Sequence, residues 1–136
     1  MREGVVIQAS GTKTATGTGS AVTSKPARNA VFQLDVTAGG TDAGDTLDVA
    51  VETTIDGTNW FPIVAFTQVI GTAAAKRHIA KVSNDLTQAM FEAAATLAAG
   101  SVRNILGQQY RARWTIVNTS TVDVTFTFSV TALLED

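Results

Sequence analysis

The stretch Leu47 to Phe66, LDVAVETTIDGTNWFPIVAF, constrains the fold most, because two alternating apolar runs flank the dipeptide Asp56-Gly57. Asp-Gly suits a two-residue type I′ turn, in which both central residues take positive φ. The segment therefore predicts a β-hairpin. With a two-residue turn, Thr53 faces Trp60, Val51 faces Pro62, Val49 faces Val64 and Leu47 faces Phe66. Trp60 and Val64 then share the core face, and Phe61 and Ile63 fall on the opposite one, which needs a cover of its own.

Strand patterns recur on both sides of this hairpin. Ala30, Phe32, Leu34 and Val36 alternate with Val31, Gln33, Asp35 and Thr37. Tyr110, Ala112, Trp114 and Ile116 alternate with Arg111, Arg113 and Thr115, and Val122 to Leu134 keeps period two for longer than any other run. These last two strands form a second hairpin around Asn118 to Thr121. Short strands between turn signals, without a βαβ rhythm, predict a mainly β fold: an antiparallel β-sandwich or jelly roll. Its core draws on Phe32, Leu34, Val36, Leu47, Val49, Val51, Trp60, Val64, Phe66, Tyr110, Trp114, Ile116, Phe126, Phe128 and Val130.

Two segments depart from that rhythm. Residues 1–29 contain one short apolar run, Val5 to Ile7, followed by a Thr, Ser and Gly-rich stretch with threonines at 12, 14, 16 and 18. β-Branched residues at period two tolerate extension, but this stretch has little apolar surface with which to offset its ordering entropy. An extended arm, ordered mainly where a partner accepts it, is expected before a β-sandwich domain at 30–136; a flexible leader is the alternative. In Asp85 to Ala99, Leu86, Ala89, Met90, Ala93, Ala94 and Leu97 recur at helical spacing. Asp85 with Gln88 resembles a capping box and Gly100 suits a C-cap, so one helix is expected at about 85–99, against an alanine-rich strand-and-loop excursion. Ala73 to Val82 reads as a weak or edge strand.

A chain of 136 residues is long enough for one core without staples. It has no cysteine, so disulfide and iron–sulfur readings fall away, and structural zinc would have to rest on the single histidine, His78, and carboxylates. No nucleophile motif surrounds His78, and no phosphate loop occurs, so no enzyme and no cofactor is expected. Asp42, Asp45 and Asp48 lie near glycines but lack the ligand spacing of a helix-loop-helix calcium site; turn chemistry accounts for them better. The opening residues do not form a signal peptide, and no window reaches the length of a membrane span, so a soluble protein without membrane association is expected.

Charge is segregated within a net of −2: residues 1–29 carry +3, residues 30–56 carry −6, and the remainder carries +1. A basic arm before an acidic β region suits contact with its own or a neighbour's acidic face. The negative net charge and the lack of aromatics interleaved with a basic stripe argue against nucleic-acid binding.

In order, the Val-rich strand, the D-G-T-N-W turn, W-F-P-I-V-A-F-T-Q, Y-R-A-R-W-T-I and the terminal F-T-F-S-V-T-A-L resemble small β-sandwich structural proteins from the morphogenesis regions of tailed bacteriophages. The likeness covers about residues 30–70 and 107–134; the arm and the segment Ala73 to Val102 lie outside it. The resemblance implies a virion protein, made in the host cytoplasm, that decorates or cements the capsid surface. Its implied partners are the major capsid protein and further copies of itself, as a small oligomer such as a trimer. Candidate interface residues are Phe61 and Ile63 with Lys13, Lys25, Arg28, Arg103, Arg111 and Arg113. A tail or neck component is the nearest alternative. D-G-x-x-W hairpins also occur in carbohydrate-binding modules, where Trp60, Tyr110 or Trp114 would have to form an exposed stacking platform.

Overall fold

A computed structural model describes residues 2–40, 42–72, 75–87, 90–119 and 124–136. Its strands are β1 (Arg2–Lys13), β2 (Gly17–Thr18), β3 (Val22–Thr23), β4 (Asn29–Ala38), β5 (Thr46–Thr54), β6 (Trp60–Ala65), β7 (Val69–Ile70), β8 (Lys76–Ser83), β9 (Ser101–Val102), β10 (Gln109–Val117) and β11 (Phe126–Glu135). They build two antiparallel sheets, in the order β1-β11-β4-β8 and β2-β10-β5-β6-β9, with β3 also on β10 and β7 on β5. The period-two patterns explain the packing. Phe32, Leu34 and Val36 of β4 and Phe126, Phe128 and Val130 of β11 point inward and meet Leu47, Val49 and Val51 of β5 and Tyr110 and Trp114 of β10. Phe32 against Tyr110, at 5.8 Å between ring centroids, and Trp114 against Phe128, at 5.6 Å, join the two layers. The mainly β sandwich predicted from the sequence is the observed architecture, but β10 and β11 do not form the expected second hairpin: they lie in different sheets, β10 on β5 and β11 on β4, and residues 120–123 between them lie outside the described ones.

Burial raises the Tyr110 phenol to about 12, and its hydroxyl donates to the Gly107 carbonyl at 3.3 Å. Between pH 10 and 12 the unfolded phenol releases its proton while the folded one keeps it, so stability is full below pH 10 and falls as pH rises toward 12. The loss should reach roughly 2–3 kcal/mol, and Tyr110→Phe should flatten that part of the profile. Urea denaturation of both proteins at pH 8 and pH 11 measures it; parallel losses in the two would reject the assignment.

The central hairpin differs from its sequence-based register. Only Gly57 takes positive φ (81°), and Asp56 does not, so the two positive φ values of a type I′ turn are not both present. Instead Asp56 organises a five-residue loop, Ile55 to Asn59. Its Oδ1 accepts from the backbone N–H of Asn59 (2.7 Å) and Thr58 (2.9 Å) and from the Thr54 hydroxyl (3.2 Å), and its Oδ2 accepts from the Asn59 side-chain amide at 2.6 Å. The N–H donors of Asn59 above all hold this carboxyl well below the usual carboxylate range. Thr54 now faces Trp60 and Thr53 faces Phe61, one step from the expected pairing. A bulge between Val51 and Glu52 leaves Ile63 as the extra residue on β6 and adds a second step, so that Val51 faces Val64 where Pro62 was expected, and Val64 stays on the core face. Phe61 (7 % exposed) and Ile63 (0 %) therefore enter the core, while Trp60 turns to the half-buried outer surface.

No helix forms at 85–99 among the described residues; Gln88 and Ala89 lie outside them. Leu86 and Met90, two large members of the expected stripe, are exposed, and most helical stability comes from packing such a face. Residues 90–99 run instead as a loop beside β6. Phe91 meets Phe61 edge-on at 5.7 Å, and Gly100 N–H donates to the Ala65 carbonyl at 2.7 Å. Of the expected strand-and-loop excursion the described residues form the loop and no strand.

Candidate interaction surface

The arm lies on the chain's own sheets. β1 runs antiparallel to β11 from Arg2 opposite Glu135 to Lys13 opposite Phe126, with Ile7 buried. The chain then crosses the layers, and β2 and β3 pair with β10. Trp114 fixes the crossing: its indole N–H donates to the Ala15 carbonyl at 2.9 Å, and the Lys13 ammonium sits 5.0 Å from the ring centroid. A side chain at Gly17 would begin 2.9 Å from Trp114 Cζ2, so glycine is what lets the arm lie flat there. The partner needed to order this stretch is, in the first instance, the domain itself.

The candidate interface residues do not converge on one site. Phe61 and Ile63 belong to the core, which corrects their placement on an outer face. Lys13 lies over Trp114, and Lys25 is exposed near the end of the arm. Arg28 approaches Asp85 at 3.7 Å. Arg103 is buried and fastens the 91–100 loop. Its guanidinium donates to the carbonyls of Pro62 and Ala95, both at 3.1 Å, and covers the Phe91 ring at 4.3 Å from the centroid.

Only Arg111 and Arg113 share a surface. They flank Glu52 on the outer face of β10 and β5, with Arg111 Nε 2.8 Å and Arg113 Nη1 3.5 Å from its carboxylate. Arg111 also stacks over Trp60 at 4.3 Å. Glu52 is 3 % exposed and its one carboxylate holds both cations, neutralising one of the two charges within the chain. Arg111→Ala should cost about 2 kcal/mol, because it leaves that carboxylate with its more distant partner, whereas Arg113→Ala should cost less than about 1 kcal/mol. Chemical denaturation of the two variants checks the order; equal losses would contradict it.

Exposed apolar side chains gather elsewhere, on the outer face of the four-stranded sheet. The register sets Gly4, Leu133, Val31 and Lys81 in one cross-strand row and Val6, Thr131, Gln33 and Ile79 in the next. Val6, Leu133 and Ile79 are exposed and Val31 is half-buried. Sequence reasoning missed this face, because four isolated residues in four strands align only once the strand order is known.

No protein-family model, curated protein or solved structure matches the chain. Among the described residues no group of three or more His, Cys, Asp or Glu side chains is placed to hold a metal ion. Of the aspartates near the glycines, Asp42 and Asp45 serve a turn, with Asp45 N–H donating to the Asp42 carbonyl at 3.1 Å and Asp45 Oδ1 accepting from Thr119 N–H at 3.1 Å, while Asp48 lies in β5 and accepts from the Gln68 side-chain amide at 2.8 Å. For a carbohydrate platform, Tyr110 and Trp114 are buried and Trp60 is covered by Arg111.

Proposed function

We propose that the protein is a non-enzymatic structural subunit of a tailed-bacteriophage particle, a decoration or cementing protein that binds the outer capsid surface as a small oligomer. The observation that supports this reading most is the outer face of the four-stranded sheet. There Val6, Leu133 and Ile79 stand exposed in adjacent rows with Val31, bordered by Arg2, Lys81 and Glu135. An apolar patch with a charged rim marks a contact surface on a protein subunit. The sequence resemblance supplies the virion as its setting, and the strand-built arm adds a segment that a neighbouring copy could exchange.

Antibody labelling of intact virions tests the assignment. Gold on the heads is the expected result; gold on the tail or neck moves the protein to that part of the particle, and unlabelled particles overturn the reading. Light scattering tests the oligomer separately, with a mass near three times the 14.2 kDa protomer expected for a trimer.

A further inference from the structure

The two edges of the sandwich are treated differently. On one side the arm supplies the edge: β1, whose register on β11 shifts between Val6 and Gln8 and again between Gln8 and Gly11, ends the four-stranded sheet, and the chain crosses from it to β2 and β3 on β10. On the other side β8 ends the four-stranded sheet and, among the described residues, has a strand neighbour on one flank only. It pairs with β4 from Ser83 opposite Asn29 to Lys76 opposite Val36 without a register shift, so its other flank is a straight edge.

One hydrogen bond shows which backbone groups that edge presents. Ser83 N–H donates to the Asn104 side-chain carbonyl at 3.2 Å, not to β4. In an antiparallel ladder alternate residues direct their N–H and C=O to the same flank. Arg77, Ile79 and Lys81 therefore present theirs on the flank Ser83 uses, and Asn104 already fills the place of a first rung. Beside this edge runs a groove of about 330 Å³ between β8 and the β6–β9 edge, lined by Val64, Phe66, His78, Ala80, Lys81 and Val102. It is wide enough to take side chains from an added strand.

Charge selects the occupant. β8 reads KRHIAKVS, with Lys76, Arg77 and Lys81 and no carboxylate, and among the described residues no Asp or Glu lines the groove. Arg77 is paired with Asp35 at 3.5 Å; Lys76 and Lys81 have no ion-pair partner among the described residues. A second β8 would set lysines against lysines, which disfavours edge-to-edge self-pairing. We infer that β8 is a docking edge for an extended acidic segment of a partner protein, which adds as a fifth strand along Arg77, Ile79 and Lys81 and seats alternate side chains in the groove. This deepens the assembly reading, resting on it only for a protein partner, and its test requires no virion.

A displayed library of random nonapeptides, selected on the intact protein, tests the edge. The expected peptides alternate apolar residues with Asp or Glu, and the best one, synthesised, should slow exchange of the Arg77, Ile79 and Lys81 amides. Ile79→Pro removes an outward N–H where an edge strand tolerates proline, and should weaken that peptide at least tenfold, while Ile79→Ala, which keeps the N–H, changes binding less than threefold. The surface double variant Lys76→Glu, Lys81→Glu should also weaken it at least tenfold, and keeps the test open should the proline variant misfold. Recovery of no binder, selection of basic peptides, undiminished binding to a folded Ile79→Pro protein, or self-association that this substitution abolishes would each overturn the inference. Failure here and absence of label on virions are separate results.

Discussion

Phe61→Ala is expected to lower the unfolding free energy by about 3–5 kcal/mol, and Trp60→Ala by only about 1–2 kcal/mol. The order follows from the register. Phe61 is buried against Phe91 and the core, so its loss leaves a cavity that the surrounding sheet cannot fill. Trp60 is half-buried, and its main partner, the Arg111 guanidinium, can turn to water when the indole is gone. A hairpin with a two-residue turn would reverse the order, because Trp60 would then be the inward residue. Guanidinium denaturation of the two variants distinguishes these geometries, and a larger loss for Trp60→Ala would rule out the observed register.

The same two residues mark how far the sequence could be read. Alternation in β4, β5, β10 and β11 named most of the core, since each strand has one face on the opposite sheet and one on solvent. The hairpin turn was recognisable as a turn, but its length was not. Asp56 gathers its donors from Thr54, Thr58 and Asn59, three positions that local propensity treats as separate. A one-residue change there exchanges Trp60 and Phe61 between the two faces of β6, and the bulge at Ile63 returns Val64 to the core; no pattern within WFPIVAF reveals either, since Trp60, Phe61, Ile63 and Val64 would suit either face.

Tertiary partners account for the other differences. The 85–99 segment has helical spacing, but Arg103 takes the Ala95 carbonyl and Phe91 goes to Phe61, so its anchors lie across the sheet edge and not along a helix stripe. The arginines at 111 and 113 were visible as a polar strand face. That Glu52 lies between them depends on β10 pairing with β5, which sets Arg111 against a residue 59 positions away in the chain. Val6, Ile79 and Leu133 likewise become a surface only through the order β1-β11-β4-β8.

Deleting residues 2–23 should have the largest effect of any change proposed for this chain. The loss combines buried Ile7, worth about 2–5 kcal/mol when its side chain is removed, with the Trp114–Ala15 hydrogen bond, worth roughly 1 kcal/mol. It also bares β11 and β10, whose backbone groups β1, β2 and β3 satisfy. A total of about 5 kcal/mol or more would consume much of the roughly 5–15 kcal/mol that holds a domain of this size folded. The shortened protein should melt far below the full chain, show red-shifted tryptophan emission as Trp114 meets water, and associate through its bared edges. Adding a synthetic peptide of residues 2–23 should restore the emission and the melting temperature at one peptide per domain, because the arm is held by backbone pairing and the Trp114 contact. That rescue would also establish that the arm can be supplied in trans, the step an exchanging oligomer requires. A shortened protein that stays monomeric and keeps its melting temperature would reduce the arm to a passive leader and remove strand exchange from the route to assembly.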